Sequence, residues 1–129
     1  MTEPVAPTGE LTIQTIAMPA DTNANGDIFG GWVVSQMDLA GAIIAKREAS
    51  GRVATVAIDS MVFLHPIQVG NLVSCYAELK RIGRTSMIVF VEVWTRSYET
   101  GQHIHVTEGV FTYVAIDNHG KPRPVKSAE

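Results

Sequence analysis

The alternation of apolar and polar positions along the chain predicts one helix among five strands. The helix begins near Trp32 and continues to Arg47, and its apolar residues are spread around almost the whole circumference. A helix of this kind is buried on most of its sides. The other segments show the two-residue period of strands. The predicted strands are residues 11–18, 53–64, 72–82, 85–96 and 103–116.

The order of these elements predicts an α+β fold, because four strands with short, antiparallel-type connections follow the helix. Gly51 comes directly after the polar end of the helix and is its expected stop signal. Residues 87–91 are continuously apolar, which indicates that both faces of the sheet are covered at that point. One helix covers only one face. We therefore expect a second copy of the chain to cover the rest, in a dimer or a larger assembly.

Composition narrows the class of protein. The chain has 129 residues, of which 46% are hydrophobic and 18% charged, as in a single folded domain. The formal net charge is -3 and no basic stripe is present, so a nucleic acid is not an expected partner. Asp38 and Lys46 interrupt the apolar helix, which excludes a membrane span. A single cysteine, Cys75, and the lack of a signal-peptide pattern predict the cytoplasm.

The expected domain organisation has three parts. Residues 1–10 contain prolines and a glycine without periodicity and predict a flexible lead-in. Residues 11–120 form the folded domain, and residues 121–129 form a basic tail.

Asp38 is the residue that most needs an explanation, because the helical pattern requires a hydrophobic residue there. Its neighbours one turn away are small, and among them Gly41 costs about 1 kcal/mol relative to alanine inside a helix. A ligand or another backbone that approaches closely would explain the glycine. From the pattern alone, a catalytic carboxylate and a structural one paired across a subunit interface are equally consistent.

A glycine-rich loop leads directly into this helix. Backbone N–H groups at a helix start can bind an anion or polarise a carbonyl group, and Gly31, Gly30 and Trp32 are the expected donors. Asn23 and Asn25, earlier in the loop, are candidates for positioning water or a substrate. Asp27 is expected to cap the helix or order the loop.

Three segments together resemble the hot-dog-fold acyl-CoA thioesterases, in particular the YciA-type branch. They are Asp-Thr-Asn-Ala-Asn-Gly-Asp-Ile-Phe-Gly-Gly-Trp at 21–32, Ser-Gln-Met-Asp at 35–38 and Gly-Arg-Thr-Ser at 83–86. The resemblance extends over about residues 11–120. It implies a sheet wrapped around a central helix, in dimers that assemble into hexamers as trimers of dimers.

The same resemblance implies hydrolysis of acyl-CoA thioesters, with Asp38 as the catalytic group. The site would lie at the dimer interface, where the loop of one subunit faces the helix of the other. CoA would be part of the substrate, and no separate cofactor is expected. An aspartate can act as general base on water or attack the thioester to form a mixed anhydride, and the sequence leaves both routes open.

The phosphates of CoA require positive charge where they bind. Basic residues cluster at one predicted hairpin and in the tail, and Arg84 is the first candidate. Thr85 and Ser86 follow it and would contact the pantetheine amides. The other basic residues of the two clusters are Lys80, Arg81, Lys121, Arg123 and Lys126.

Two alternative functions remain open at this stage. A dehydratase or hydratase on the same fold needs a histidine beside its acid, and residues 23–47 contain none, which leaves His65 as a candidate. A non-catalytic acyl-CoA-binding module would not need a buried carboxylate. His103 and His105 lie on one side of a strand, but without a third ligand no metal is expected. Cys75 is expected in the core rather than as a nucleophile.

Overall fold

The computed structural model describes residues 6–126 and contains the predicted elements. The loop before the long helix also contains a short 3-10 helix, Pro19–Asp21. The long helix is longer at both ends than predicted, whereas the strand bounds differ by only a few positions. The elements are β1 (Glu10–Ile16), α1 (Gly30–Ala49), β2 (Val53–Phe63), β3 (Leu72–Ile82), β4 (Ser86–Arg96) and β5 (His103–Ala115).

The five strands form one antiparallel sheet in the order β1-β3-β4-β5-β2. Helix α1 contacts all five strands, so the sheet wraps around it. This is the α+β hot-dog arrangement that the sequence resemblance implied. No helix among the described residues combines the length and the apolar character needed to cross a bilayer.

The core lies between α1 and the concave face of the sheet. Cys75 is fully buried there, and burial raises the pKa of its thiol to about 12, which confirms a core residue. Other core side chains come from alternate positions of the central strands, as a two-residue period requires. They include Val73, Ala77, Val89, Val91, Phe111 and Tyr113.

One side of α1 and the edge strand β2 remain apolar and exposed. In α1, Leu39 is 54% and Ile43 39% exposed, so the expectation of burial on most sides does not hold for one chain alone. Strand β2 pairs only with β5, and it exposes Val56, Ile58 and Phe63. A long apolar edge strand with unpaired backbone groups is a template for pairing with another chain.

The described part of the tail is not loose but holds the end of α1. Arg123 Nη2 donates to the carbonyl of Ala49 at 2.8 Å, and Lys126 lies 3.3 Å from Glu48. The predicted stop at Gly51 is wrong, because Ser50 takes the left-handed conformation that ends the helix (φ 52°). Arg123 Nη2 would lie 2.8 Å from a Cβ at Gly51, so this glycine accommodates the arginine. Residues 1–5 and 127–129, which belong to the predicted lead-in and tail, lie outside the described residues.

Candidate active site

Asp38 lies half-buried in the middle of α1, and two hydroxyl groups hold one of its oxygens. Thr55 Oγ1 donates to Asp38 Oδ1 at 2.7 Å. Tyr113 Oη lies 3.1 Å from the same oxygen and 2.8 Å from the main-chain carbonyl of Asp38. No lysine or arginine in residues 6–126 pairs with this carboxylate, and Oδ2 has no partner there. The carboxylate is therefore fixed in position while one oxygen stays available for chemistry.

Tyr113 holds Asp38 from within the core. Its ring is fully buried and stacks on Phe111, with 6.3 Å between the ring centroids. Burial, and secondly the charge of Asp38, raise the pKa of Tyr113 above its ordinary value. The hydroxyl therefore keeps its proton at neutral pH and remains a donor.

Gly41 makes room for this tyrosine. A Cβ built at Gly41 would overlap Tyr113 Oη, and it would lie 3.1 Å from two ring carbons. The sequence pattern correctly indicated a close approach at Gly41, but the approaching group is a side chain of the same chain. It is neither a ligand nor another backbone. The sequence pattern did not indicate Tyr113 and Thr55 as partners of Asp38, and Gly41 was the one sign in it of such a contact.

The start of α1 has unused donors. Its N-cap residue, Phe29, makes no side-chain cap, and the first turn carries no acidic residue. The N–H groups of Gly30 and Gly31 have no acceptor among the described residues, and both residues are exposed. Trp32 N–H, the third expected donor, already donates to Phe29 O at 3.1 Å. Two of the three predicted donors are therefore open to a ligand.

Asn23 orders the loop in the way expected of Asp27. Its Oδ1 accepts from the N–H groups of Asn25 at 2.8 Å and Asp27 at 3.2 Å. Asp27 is not the cap of α1, and its Oδ1 is 3.4 Å from Gln68 Nε2. Asn25 is exposed at the tip of the loop. The side-chain oxygen of Asn23 is thus engaged in shaping the loop rather than directed at a substrate.

Within one chain the open N–H groups and Asp38 do not meet. Asp38 follows Gly31 by seven residues, which separates them by about 10 Å along the helix axis. A reacting carbonyl must lie about 3 Å from both the nucleophile and the oxyanion donors. One chain therefore holds two halves of a site rather than a whole one.

An apolar cavity of about 350 Å³ lies between the start of α1 and the end of β2. Its size and lining suit an apolar chain rather than a charged group. His65 is at this cavity, and Asp38 is not. The lining includes Ile28, Gly30, Val33, Phe63, Leu64 and His65.

The Gly-Arg-Thr-Ser segment lies at the turn between β3 and β4. The Arg84 guanidinium is exposed and makes no ion pair with a described residue. The carbonyls of Arg84 and Thr85 accept from Val125 N and Ala115 N, each at 2.9 Å, so they already serve the fold. Ser86 pairs with Val114, next to Tyr113, which places this turn at the end of the sheet that holds Asp38.

The other basic candidates are mostly engaged. Lys80 pairs with Glu78 and also lies 5.6 Å from the Phe90 ring centroid. Arg123 and Lys126 bind the end of α1. Arg84 thus remains the first candidate for a phosphate contact.

The similar proteins described below are thioesterases or acyl-CoA thioester hydrolases. The sequence model of the Thioesterase superfamily matches residues 25–101. The acyl-CoA thioester hydrolase YciA of Salmonella typhimurium is 55% identical over 122 residues, which cover 92% of each chain. The structure of a hexameric thioesterase from Yersinia pestis has a TM-score of 0.90 at 55% identity, and covers 95% of this chain and 100% of that one.

A further similar structure is an aspartate-to-alanine mutant of a hexameric broad-specificity acyl-coenzyme A thioesterase. It has a TM-score of 0.89 and is 52% identical. The match covers 92% of this chain and 88% of that one.

Proposed function

The chain belongs to the thioesterase superfamily, and from this premise we propose that it hydrolyses acyl-CoA thioesters to free CoA and a carboxylic acid. The observation that carries the proposal is the Asp38 carboxylate. Thr55 and Tyr113 hold its Oδ1, and within residues 6–126 no lysine or arginine pairs with it and its Oδ2 has no partner. A carboxylate in this state can act as a base or a nucleophile. CoA is part of the substrate, and the proposal needs no separate cofactor.

The reaction begins at Asp38 Oδ2 by one of two routes. As general base, Oδ2 takes a proton from a water molecule whose oxygen attacks the thioester carbon. As nucleophile, Oδ2 attacks the carbon itself and forms a mixed anhydride that water then cleaves. In both routes the C–S bond breaks and CoA leaves as a thiolate, which needs little acid assistance. A single turnover in ¹⁸O-labelled water tests the second route, because ¹⁸O enters the Asp38 carboxylate only when water attacks the Asp38 carbonyl of a mixed anhydride.

The N–H groups of Gly30 and Gly31 stabilise the oxyanion in this proposal, and they come from the neighbouring subunit. The separation along α1 supports this, since one helix cannot bring its own start to its own Asp38. Strand β2 supports it as well. Thr55 on β2 contacts Asp38, whereas Phe63, at the far end of the strand, lies beside Gly30.

An antiparallel pairing of β2 with its own copy would meet this requirement. A two-fold axis near the middle of the strand places Thr55 of one subunit opposite Phe63 of the other, which brings Gly30 of that subunit towards Asp38. The exposed apolar residues of β2 and the outer side of α1 would become the buried interface. The hexameric assembly of the similar structures supports further grouping, and we propose a trimer of dimers for this chain.

The CoA portion of the substrate is assigned to the turn between β3 and β4. The exposed Arg84 guanidinium would contact a phosphate, and the side chains of Thr85 and Ser86 would contact the pantetheine. The apolar cavity beside Gly30 would take the acyl chain. We place the reaction in the cytoplasm, where a single, buried cysteine without a disulfide is typical, and assign it to fatty acid metabolism because its substrate is an acyl-CoA.

The test of this function is the release of CoA thiol from acyl-CoA by the purified protein. Asp38→Asn removes the base and nucleophile but keeps the size of the side chain. It should lower kcat by about 10²–10⁴, with unchanged assembly by light scattering. A rate in Asp38→Asn equal to that of the wild type would overturn the assignment. Cys75 does not disturb the assay, because its thiol is buried.

A mixing experiment tests the shared site separately. Asp38→Asn and Gly30→Pro each damage a different half of the site. If the halves come from different subunits, co-expression of the two variants yields mixed dimers with one intact site, and activity returns. If both halves come from one subunit, mixed dimers stay as inactive as their parents.

A further inference from the structure

Three side chains that can bind a metal meet on the sheet face that points away from α1. They are Glu92 on β4, and His105 and Glu108 on β5, and their ligand atoms all lie within 4.8 Å of one another. The two-residue period of the strand pairs His105 with His103 and indicates no third ligand. The register shift between β4 and β5 at Val93 and Trp94 instead brings His105 close to the two carboxylates.

No lysine or arginine among the described residues balances the charges in this cluster. Glu92 and Glu108 occupy directly paired positions on neighbouring strands, where like charges repel. Glu92 is only 3% exposed, and its Oε2 accepts from two neutral donors, Thr8 N at 2.9 Å and Trp94 Nε1 at 3.3 Å. Between residues 6 and 126, neither carboxylate pairs with a lysine or an arginine. A buried carboxylate that stays charged is stabilised by a cationic partner or by a metal ion.

The geometry of His105 points to a shared ion rather than to a hydrogen bond. The residue is 3% exposed, and neither ring nitrogen has a hydrogen-bond partner among the described residues. Its Nε2 lies 3.3 Å from Glu108 Oε1, but the two groups are not aligned for hydrogen bonding. Two ligands of one zinc ion are separated by about this distance, because bonds of roughly 2.0–2.2 Å in a tetrahedron place ligand atoms about 3.4 Å apart.

We propose that Glu92, His105 and Glu108 bind a divalent transition-metal ion of the Zn²⁺ class. One imidazole and two carboxylates suit such an ion, and three protein ligands leave a fourth position for water. The Glu108 side chain is 40% exposed and gives the ion a route from solvent. The ion neutralises the two carboxylates and joins β4 to β5. The ion would act apart from thioester hydrolysis, since Asp38 contacts the other face of the sheet.

The test is a calorimetric titration of the chelator-treated, full-length protein with Zn²⁺. We expect one ion per chain and a higher unfolding temperature with Zn²⁺ present. Glu108→Gln keeps the shape of a partly exposed side chain and should weaken Zn²⁺ binding at least tenfold. Loss of a group that only supports a metal ligand weakens binding by roughly 10–100-fold, so loss of a ligand should cost at least the lower value. His105→Gln should do the same. Co²⁺ in place of Zn²⁺ should give a visible spectrum that both variants lose.

Two matched controls separate this site from casual binding at a histidine. His103 contacts the Trp94 ring at a tilted angle, with centroids 4.7 Å apart, and His119 is exposed in a turn. His103→Gln and His119→Gln should bind Zn²⁺ like the wild type. The proposal fails if the chelator-treated wild type binds no Zn²⁺. It also fails if Glu108→Gln binds Zn²⁺ with wild-type affinity. This measurement does not depend on whether His105→Gln folds.

Discussion

The two ends of helix α1 are built in opposite ways. At its C-terminal end, the carbonyl of Lys46 accepts from Ser50 and Gly51, and that of Ala49 accepts from Arg123. Basic side chains there also complement the negative end of the helix dipole. At the N-terminal end, Phe29 provides no side-chain cap, the first turn holds no acidic residue, and two N–H groups have no acceptor within residues 6–126.

This difference indicates that the C-terminal end of α1 contributes to stability and its N-terminal end to function. Orphan groups at a helix end are normally satisfied by caps or by water. The chain satisfies them at the end that faces its own tail, and it leaves them open at the end next to the exposed loop and the apolar cavity. The open end is where a developing oxyanion gains most from unpaired donors. We therefore expect changes at the two ends to affect different measured quantities.

Of the changes at the two ends of α1, the largest effect should come from removing an N–H donor at the N-terminal end. Gly30→Pro deletes one N–H, and the fold tolerates it because Phe29 is extended (φ -57°, ψ 133°) and proline is favoured at the first helical position. We expect kcat to fall by about 10²–10³. Gly31→Pro deletes the second donor, at the second helical position, where the N–H also has no intrahelical acceptor.

Alanine at the same positions is the matched control for this experiment. A Cβ at Gly30 would lie 3.6 Å from the Phe63 ring, an ordinary contact, and Gly31 has open space around it. Gly30→Ala and Gly31→Ala keep the N–H and should keep most of the activity. Equal kcat values for the proline and alanine variants would show that neither N–H group acts in the reaction.

A change at the C-terminal end of α1, where the carbonyl groups have partners, should affect stability alone. Arg123→Ala removes the donor to Ala49 O and a second bond, from Nε to Ile116 O at 3.2 Å. The free energy of unfolding should fall by about 1–3 kcal/mol, because a helix carbonyl loses its partner. Denaturant unfolding at fixed protein concentration measures this, with the exposed Lys121→Ala as control. A fall in kcat per folded molecule would show that the C-terminal end of α1 also acts in the reaction.

Changes in the middle of the helix should affect both the stability of the fold and kcat. Gly41→Ala introduces the overlap with Tyr113 and should destabilise the fold by about 1–3 kcal/mol. Tyr113→Phe alone removes a hydrogen bond to Asp38 and should lower kcat by up to about tenfold. The double variant should recover part of the stability, since the overlapping oxygen is gone. Additive effects in this double-mutant cycle would mean that the two residues do not interact.

The smallest effect concerns alkaline pH. The pKa of Tyr113 is raised in the folded chain above the ordinary value of 10.0. Above that pH the unfolded chain releases a proton that the folded chain retains, so stability falls as pH rises. Tyr113→Phe should remove this part of the fall, which denaturant titrations between neutral and alkaline pH would measure. An identical pH slope in both proteins would contradict the raised pKa.

The sequence predicted the parts of the molecule that depend on local pattern. The strands, the helix and the unusual carboxylate at Asp38 all follow from periodicity. The partners of Asp38 did not, because alternation tells which face a strand residue occupies but not which helix residue it meets. Thr55 and Tyr113 reach Asp38 only through the register of β2 and β5.

The sequence was also ambiguous where two nearby residues suit the same structural role. Asn23 and Asp27 both suit a turn, and only the folded loop shows that Asn23 takes the ordering role. Ser50 and Gly51 compete for the end of the helix, and the glycine instead leaves space for Arg123. The cluster around His105 depends on an irregular strand register, which periodicity cannot reveal.

The contact between Gly41 and Tyr113 limits how this protein can be engineered or can evolve. Replacing an interior helix glycine by alanine is a common way to make a protein more heat-stable. Here that substitution pushes against the hydroxyl group that holds Asp38 in place. The two positions must therefore change together. A search for thermostable variants should leave position 41 alone and look to surface positions away from Asp38.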